Sequence, residues 1–420
     1  MTNKQIAFEK IKELVEKFEE YISTYKHTEY NETQTRIEFI NPFWEALGWD
    51  IDNKQKKAPH NCEVLHEVKQ RQGTANKRPD YLFQKEAKKM FFYVETKKPF
   101  VNLLADKSAA FQLKRYGRFG KMKISILMGF SEFCIYNCTK KPFLHQEAKV
   151  GRLGYFTFHQ YITNFDFFWN TFAKENVLAG SIDLYLKDNK EITNKESVDI
   201  EFLDTIEQWR LDLATSLNKK NPKLEDFEIN FAVQQTIDRI IFLKIAEDRG
   251  LENINQLLEA SKKGDIYANL LILFQKADNS YNSGLFNFKK DTITPYLVTE
   301  NKIIKNIIQK LYEAEGFDFS AIEVEILGYA YEQFLGKVIV FDANNVAKIE
   351  TKIEVRKAGG VYYTPQYIVD YIVENTLGVQ IKGKTPEEIS KIKVIDPSCG
   401  SGSFLLGAYQ YLLNYHLEYY

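Results

Sequence analysis

Pro79-Asp80-Tyr81-Leu82-Phe83, a polar turn from Gln84 to Lys89, and Phe91-Phe92-Tyr93-Val94-Glu95-Thr96-Lys97 form the stretch whose reading decides the fold. Two short apolar runs around a polar turn are the pattern of a β-hairpin. Side chains alternate along a strand, so Glu95 and Lys97 share one face. Asp80 enters the first strand and Glu-x-Lys closes the second. Two carboxylates beside one ammonium can hold a divalent metal and activate water for phosphodiester hydrolysis. The competing reading is an Asp in a turn after proline and a solvated strand edge. Spacing alone does not separate the two, because 27% of the residues are charged.

The surroundings do. Residues 51–150 contain 21 Lys or Arg against 9 Asp or Glu, a balance of +12, while the remainder of the chain carries −13. A basic block around paired acids suits a polyanion, since neutralising phosphates releases counterions, so nucleic acid is the leading substrate class. The four cysteines, Cys62, Cys134, Cys138 and Cys399, show no CxxC spacing. That argues against a zinc cluster or disulfide scaffold and fits a reducing cytoplasm. No apolar signal segment or run of eighteen apolar residues occurs, so a soluble cytoplasmic protein with no membrane partner is expected. A length of 420 residues predicts two or three domains.

Residues 4–25 repeat apolar side chains at helical period, with Ile6, Phe8, Ile11, Leu14, Val15, Phe18 and Ile22 as the face. Thr33 to Leu47 repeats the pattern through Ile37, Ile40, Phe43, Trp44 and Leu47, and Gly48 is the expected C-cap. Glu38 inside this helix is either an outward charge or a third acid for the metal. Cys62 to Gln70 reads as a strand. A helix from Asn102 to Phe119 places Gln112 and Tyr116 on one face. Ile124–Phe130 and Phe133–Cys138 read as two more strands, and the aromatic run Tyr155 to Trp169 as core closure.

These residues resemble the PD-(D/E)xK nuclease superfamily, and within it the amino-terminal domain of type I restriction subunits and their type IIG relatives. The match runs through Asn31-Glu32, Thr35-Arg36, Ala46-Leu47-Gly48-Trp49-Asp50, Arg78-Pro79-Asp80-Tyr81, Val94-Glu95-Thr96-Lys97 and Gln112-x-x-x-Tyr116. The resemblance implies that Asp80 and Glu95 ligate Mg2+, that Lys97 orients or helps deprotonate the attacking water, and that Gln112 and Tyr116 position the scissile phosphate. Glu32 and Glu38 both stand as the first-helix acid; Glu38 ranks ahead because it lies inside the helix.

Asp183 to Glu196 is polar and reads as a linker. Residues 198–346 are helical in pattern without a catalytic constellation, and Asp238, Arg239, Glu247, Asp248 and Arg249 read as surface ion pairs. Chemistry returns at Tyr362-Tyr363-Thr364-Pro365, which leads into an amphipathic helix from Gln366 to Leu377 with Ile368, Tyr371, Ile372 and Leu377 as its apolar side. Ile392 to Ile395 then predicts a short buried strand, followed by Asp396-Pro397-Ser398-Cys399-Gly400-Ser401-Gly402 opening a last helix. Glycines in such a turn let backbone approach a ligand. This turn and the upstream Tyr-Tyr-Thr-Pro resemble motifs I and X of S-adenosylmethionine-dependent DNA adenine methyltransferases. Thr364, Asp396, Gly400 and Gly402 are carried over from that resemblance as cofactor contacts.

Gly378 to Thr385 satisfies the phosphate-loop pattern GxxxxGK[ST], but a helix precedes it. Gly378 reads as that helix's C-cap and Thr385-Pro386-Glu387-Glu388 as an N-cap, so no nucleotide site is expected. No Asn-Pro-Pro-Tyr segment occurs, and no acid follows on a second strand, so only the start of a methyltransferase is expected, its remainder and a target-recognition domain lying elsewhere.

The expected fold is α/β multidomain. A PD-(D/E)xK nuclease core occupies residues 1–180, an all-helical connector 198–346, and a partial Rossmann-like methyltransferase segment 347–420. The expected function is a Mg2+-dependent endonuclease on double-stranded DNA, coupled to adenine methylation. The alternative is a non-cutting assembly protein that docks on a separate methylase.

Overall fold

The computed structural model describes residues 2–57, 61–66, 79–85, 89–188, 198–281, 283–313, 315–320, 322, 328, 336–353, 355, 364–400 and 402–419. The chain divides into two compact units, Met1–Ser197 with Ala314–Ala321, and Val198–Glu313 with Ile322–Tyr420. Among the described residues no helix is long and apolar enough to cross a membrane. Arg78, the centre of the hairpin turn at 86–88, most of the linker, Tyr362 and Tyr363 lie outside the described residues.

The first unit is built on a six-stranded sheet: β1 Val64–His66, β2 Tyr81–Lys85, β3 Lys89–Thr96, β4 Ile124–Met128, β5 Glu132–Asn137 and β6 Arg152–Thr157. The strands lie in sequence order, all antiparallel except β3 and β4. A parallel pair needs a crossover. Helix α5, Lys107–Phe119, supplies it, with Asp106 capping its start by accepting from Ala109 N at 2.9 Å. One sheet face packs Leu127, Cys134 and Tyr136 against Ala109, Ala110 and Leu113 of α5. The approach is close, because a Cβ on Gly117 would stand 2.4 Å from Cys138 Sγ and 2.7 Å from Ser125 Oγ.

The other face carries the larger core. Helix α1, Asn3–Glu20, starts with a capping box between Thr2 and Gln5 and buries Ala7, Ile11, Val15 and Phe18. A short α2, Ile22–Tyr25, and then α3, Glu32–Thr35, follow. A single regular helix was expected from Thr33 to Leu47. Instead α3 passes through a π turn, Arg36–Ile40, into α4, Asn41–Ala46. The inserted residue rotates the face that follows the insertion. Phe39 turns inward onto Phe18 and Phe130, with ring centroids 5.2 and 4.7 Å away, while Ile37, expected in the core, is 63% exposed. Gly48 does end the helix, at φ +93°, with Trp49 N donating to Trp44 O and Gly48 N to Glu45 O, the Schellman pattern. The aromatic run after β5 divides into β6, a turn carrying Phe158, and helices whose Tyr161, Phe165, Phe168 and Phe172 join it in the core.

The second unit is mainly helical, with long helices at Val198–Lys220 and Asp226–Asp248 and a hairpin, β7 Lys337–Phe341 and β8 Ala347–Thr351, that the helical reading missed. Of the five charges expected in surface ion pairs, Arg249 is exposed and Asp238 half-buried, but the other three are inside. Arg239 is buried and donates to Asp291 at 2.7 Å, Thr294 at 2.7 Å and Leu285 O at 2.9 Å, and Glu247 and Asp248 are buried as well. A buried guanidinium needs this many acceptors, which the linear pattern does not reveal.

Near the C-terminus, the helix Gln366–Val373 continues through a π turn at Glu374–Gly378 to Ile381. The buried face is therefore Val369, Val373 and Leu377, and Tyr371, expected inside, is exposed. Gly378 is not a C-cap: its φ is −56°, and the room a Cβ would need is taken by the Tyr411 hydroxyl at 2.6 Å. Thr385 is an N-cap with a capping-box Glu388, as expected. Residues 392–395 form no strand, and Ile395 is 86% exposed. A buried strand requires neighbours to pair with, and none stands beside it among the described residues.

Candidate active site

The sheet brings the hairpin's acids together at the end of β3. Tyr81 pairs with Val94, so Asp80, one residue earlier, stands opposite Glu95. Tyr81 is fixed in turn, its hydroxyl donating to Asn41 Oδ1 at 2.6 Å. Thr96, the residue between Glu95 and Lys97, holds Asp80 in place. Its backbone N–H donates to Asp80 Oδ2 at 2.7 Å and its hydroxyl to the same oxygen at 2.6 Å. The Thr96 hydroxyl also lies 3.2 Å from Glu32 Oε1. Asp80 Oδ1 accepts from Arg36 Nη1 at 3.0 Å. Lys97 Nζ donates to Glu95 Oε1 at 2.6 Å, and its backbone N–H extends the parallel ladder to Met128 O.

The first-helix acid at this cluster is Glu32. It opens α3, where Asn31 caps the helix, and its carboxylate reaches the Thr96 hydroxyl. Glu38, ranked ahead on sequence, sits on the π turn and pairs with Lys17 of α1 at 2.9 Å. The inserted residue explains the exchange, since it turns position 38 towards α1.

Charge at the cluster is unbalanced. Among the described residues, Glu32, Asp80 and Glu95 face only Arg36 and Lys97. Burial, then the Asp80 charge, push the Glu95 carboxyl up to about 7 against the pull of Lys97. Burial also opposes the Lys97 ammonium, but Glu95, Glu32 and Asp80 outweigh it and hold its pKa above the ordinary lysine value. An excess of buried negative charge is the condition a cation relieves. Among the described residues no three His, Cys, Asp or Glu groups form a ready metal cage. Mg2+ commonly takes one or two carboxylates and completes its shell with water and substrate phosphate, which the pairing of Asp80 and Glu95 allows.

Of the two α5 residues, Tyr116 is buried, its phenol pushed up by burial and then by the charges of Asp318 and Glu95, so it lies within the field of the cluster. Gln112, one turn earlier, is exposed. Sequence reading passed over Thr96 and gave Arg36 no role. Thr96 lay inside the Glu-x-Lys signature, and alternation already turned it to the side of the sheet away from Glu95 and Lys97.

The second set of candidates lies in the C-terminal region. The helices Gln366–Val373 and Ser403–Tyr419 pack in parallel, since a Cβ on Gly407 would meet Val369 Cγ1 at 2.6 Å and Gln366 Nε2 at 4.0 Å, and Tyr411 meets Gly378. Thr364, just before the first helix, and Gly402, just before the second, therefore occupy the same end of the pair. Gly400 and Gly402 have φ of +52° and +81°, with nothing within 4 Å of where a Cβ would stand. Asp396 Oδ1 accepts from Ser398 N at 3.0 Å. Left-handed glycines opening onto free space before a 17-residue helix fit one wall of a cofactor site, as S-adenosylmethionine would need.

Residues 323–418 match the N-6 DNA Methylase family. Over 418 residues the chain is 34% identical to the type II restriction enzyme and methyltransferase RM.Eco57I of Escherichia coli, covering 98% of this chain and 41% of that protein. Of solved structures, a DrdV–DNA complex aligns over 98% of this chain and 35% of its own, at 14% identity and a TM-score of 0.28. The type IIG restriction endonuclease BpuSI aligns over 89% and 37%, at 14% and 0.24. Along nearly its whole length the chain resembles part of a type II restriction enzyme and methyltransferase, and it spans about two fifths of that relative.

Proposed function

We propose that the first unit is a Mg2+-dependent endonuclease domain of the PD-(D/E)xK kind acting on double-stranded DNA, and that residues 347–420 begin an adenine methyltransferase domain that uses S-adenosylmethionine, with the helical connector between them. The observation that supports the nuclease reading best is that Glu32 and Asp80 meet at the Thr96 hydroxyl while Lys97 bonds Glu95, the acid that the Asp80 charge acts on. Asp80 and Glu95 would hold Mg2+, which when bound lowers the pKa of water and offsets charge on phosphate. Lys97 stands against Glu95, where its ammonium can orient the attacking water and stabilise the hydroxide it becomes. Gln112 and Tyr116 of α5 would position the phosphate. Thr364, Asp396, Gly400 and Gly402 would line the cofactor.

A second reading has one observation in its favour: Asp80 already has an arginine on its outer oxygen, as in a site that no longer cuts. Incubation with supercoiled duplex DNA separates the two. The nuclease reading requires nicking or linearisation with Mg2+, none with EDTA, and none by Asp80→Ala. Intact DNA at every Mg2+ concentration would favour a non-cutting assembly protein. Calorimetric titration with S-adenosylmethionine tests the second domain: weak binding that Gly402→Val removes is expected, and submicromolar affinity would contradict a one-walled site.

A further inference from the structure

Arg36 holds the only oxygen of Asp80 that is open to exchange. Asp80 Oδ2 is fixed from inside by the Thr96 backbone and hydroxyl, at 2.7 and 2.6 Å. Asp80 Oδ1 faces Arg36 Nη1 at 3.0 Å, and in this pair the Asp80 side chain is 5% exposed and the Arg36 side chain 25%. The guanidinium is thus the solvent side of the cluster. Among the described residues it makes one single-point contact where an arginine fork can make two parallel bonds, and single-point contacts are weaker. Arg36 also opens the π turn, whose closing bond runs from Asn41 N to Arg36 O. Single π turns recur where a side chain has been re-aimed for function.

Charge makes the same point. Without Arg36 the group of Glu32, Asp80, Glu95 and Lys97 carries −2, the charge a divalent cation would neutralise. With Arg36 that deficit is half filled.

We infer that Arg36 is a displaceable counter-ion: it occupies the outer oxygen of Asp80 when no divalent cation is present, and once released it turns to a phosphodiester of the DNA backbone. The planar fork of arginine matches phosphate geometry, so the released side chain has a partner of the right shape on the substrate. The exchange makes cation binding and DNA binding favour one another, because each removes a competitor for the other. This rests on the nuclease reading above.

The test uses the whole chain, with Arg36→Ala, Arg36→Lys and Asp80→Ala, and reads binding rather than cleavage. Mg2+ affinity without DNA is measured by calorimetry, and melting is followed with and without Mg2+. Duplex affinity is measured by anisotropy in Ca2+ across a salt series. Removing a competitor from Asp80 should tighten Mg2+ binding by Arg36→Ala, by about tenfold if Asp80 is free in roughly a tenth of wild-type molecules. The same variant should melt lower than wild type without cation and recover more when Mg2+ is added. Its DNA affinity should fall, with the salt slope reduced by about one. Arg36→Lys should lie between. Unchanged or weaker Mg2+ binding by Arg36→Ala, with DNA affinity unaltered, would make Arg36 a fixed structural partner and overturn the inference. A wild-type chain that binds no Mg2+, or Asp80→Ala binding it as well as wild type, would overturn the nuclease reading itself and this inference with it.

Discussion

Replacing Thr96 by valine removes one oxygen and leaves the shape of the side chain. That oxygen is 2.6 Å from Asp80 Oδ2 and 3.2 Å from Glu32 Oε1, and Thr96 is fully buried. A hydrogen bond to a buried charge contributes about 1.5–3 kcal/mol, and Asp80 keeps two other donors, the Thr96 N–H and Arg36, so the loss should stay within that range. For a domain of this size, each kcal/mol lowers the melting temperature by about 2–4 °C, which gives a fall of roughly 3–12 °C for the first unit. Calorimetry resolves such a shift, and Thr96→Ser should recover most of it. Nicking should fall more steeply than stability, by about tenfold or more, because an acid misplaced by a fraction of an ångström loses its alignment with the phosphate. A Thr96→Val chain that melts within a degree of wild type and nicks at the wild-type rate would refute the claim that this hydroxyl positions Asp80.

Three further outcomes follow from the geometry. Gly117→Ala must place a methyl 2.4 Å from Cys138 Sγ, so it should cost about 1–3 kcal/mol or more in urea unfolding, and a neutral result would mean that α5 is not seated on β4 and β5 as described. Arg239→Ala strands Asp291 in the second unit and should destabilise that unit by about 3–5 kcal/mol, with the nicking proposed for the first unit kept at temperatures where both remain folded. The Glu95 carboxyl, ordinarily near 4.5, rises to about 7 on folding, so the folded state binds more protons between those values. Metal-free stability should therefore fall as pH rises from about 4.5 to 7, and Glu95→Gln should flatten that slope in melts taken across the range.

The parts of the fold that were legible in sequence are those set by local pattern. The hairpin announced itself by alternation, β4 and β5 by apolar runs between turns, and Gly48 by its place after a helical face. The π turn at Arg36–Ile40 was not legible, because its cause is tertiary: Phe39 is drawn onto Phe18 and Phe130, which are distant in sequence. That single insertion put Ile37 outside and sent Glu38 to Lys17, which is why the site acid came out as Glu32. β6 was hidden within an aromatic run whose strand character depends on pairing with β5. Arg239 looked like a surface charge because its acceptors come from residues 285 to 294. For the site, residue types and spacing named Asp80, Glu95 and Lys97, and only the fold showed that Thr96 and Arg36 govern Asp80.

If the cluster at the end of β3 cuts DNA, Lys97 is the residue to remove, because its loss leaves both proposed metal-holding acids in place. Wild type and Lys97→Ala should be compared side by side for duplex binding in Ca2+ and for the rate of plasmid nicking at saturating Mg2+. Nuclease function of the cluster requires binding within a few-fold of wild type and nicking lost by about a hundredfold or more, the scale of removing one group that stabilises transition-state charge. Nicking by Lys97→Ala at the wild-type rate would contradict it.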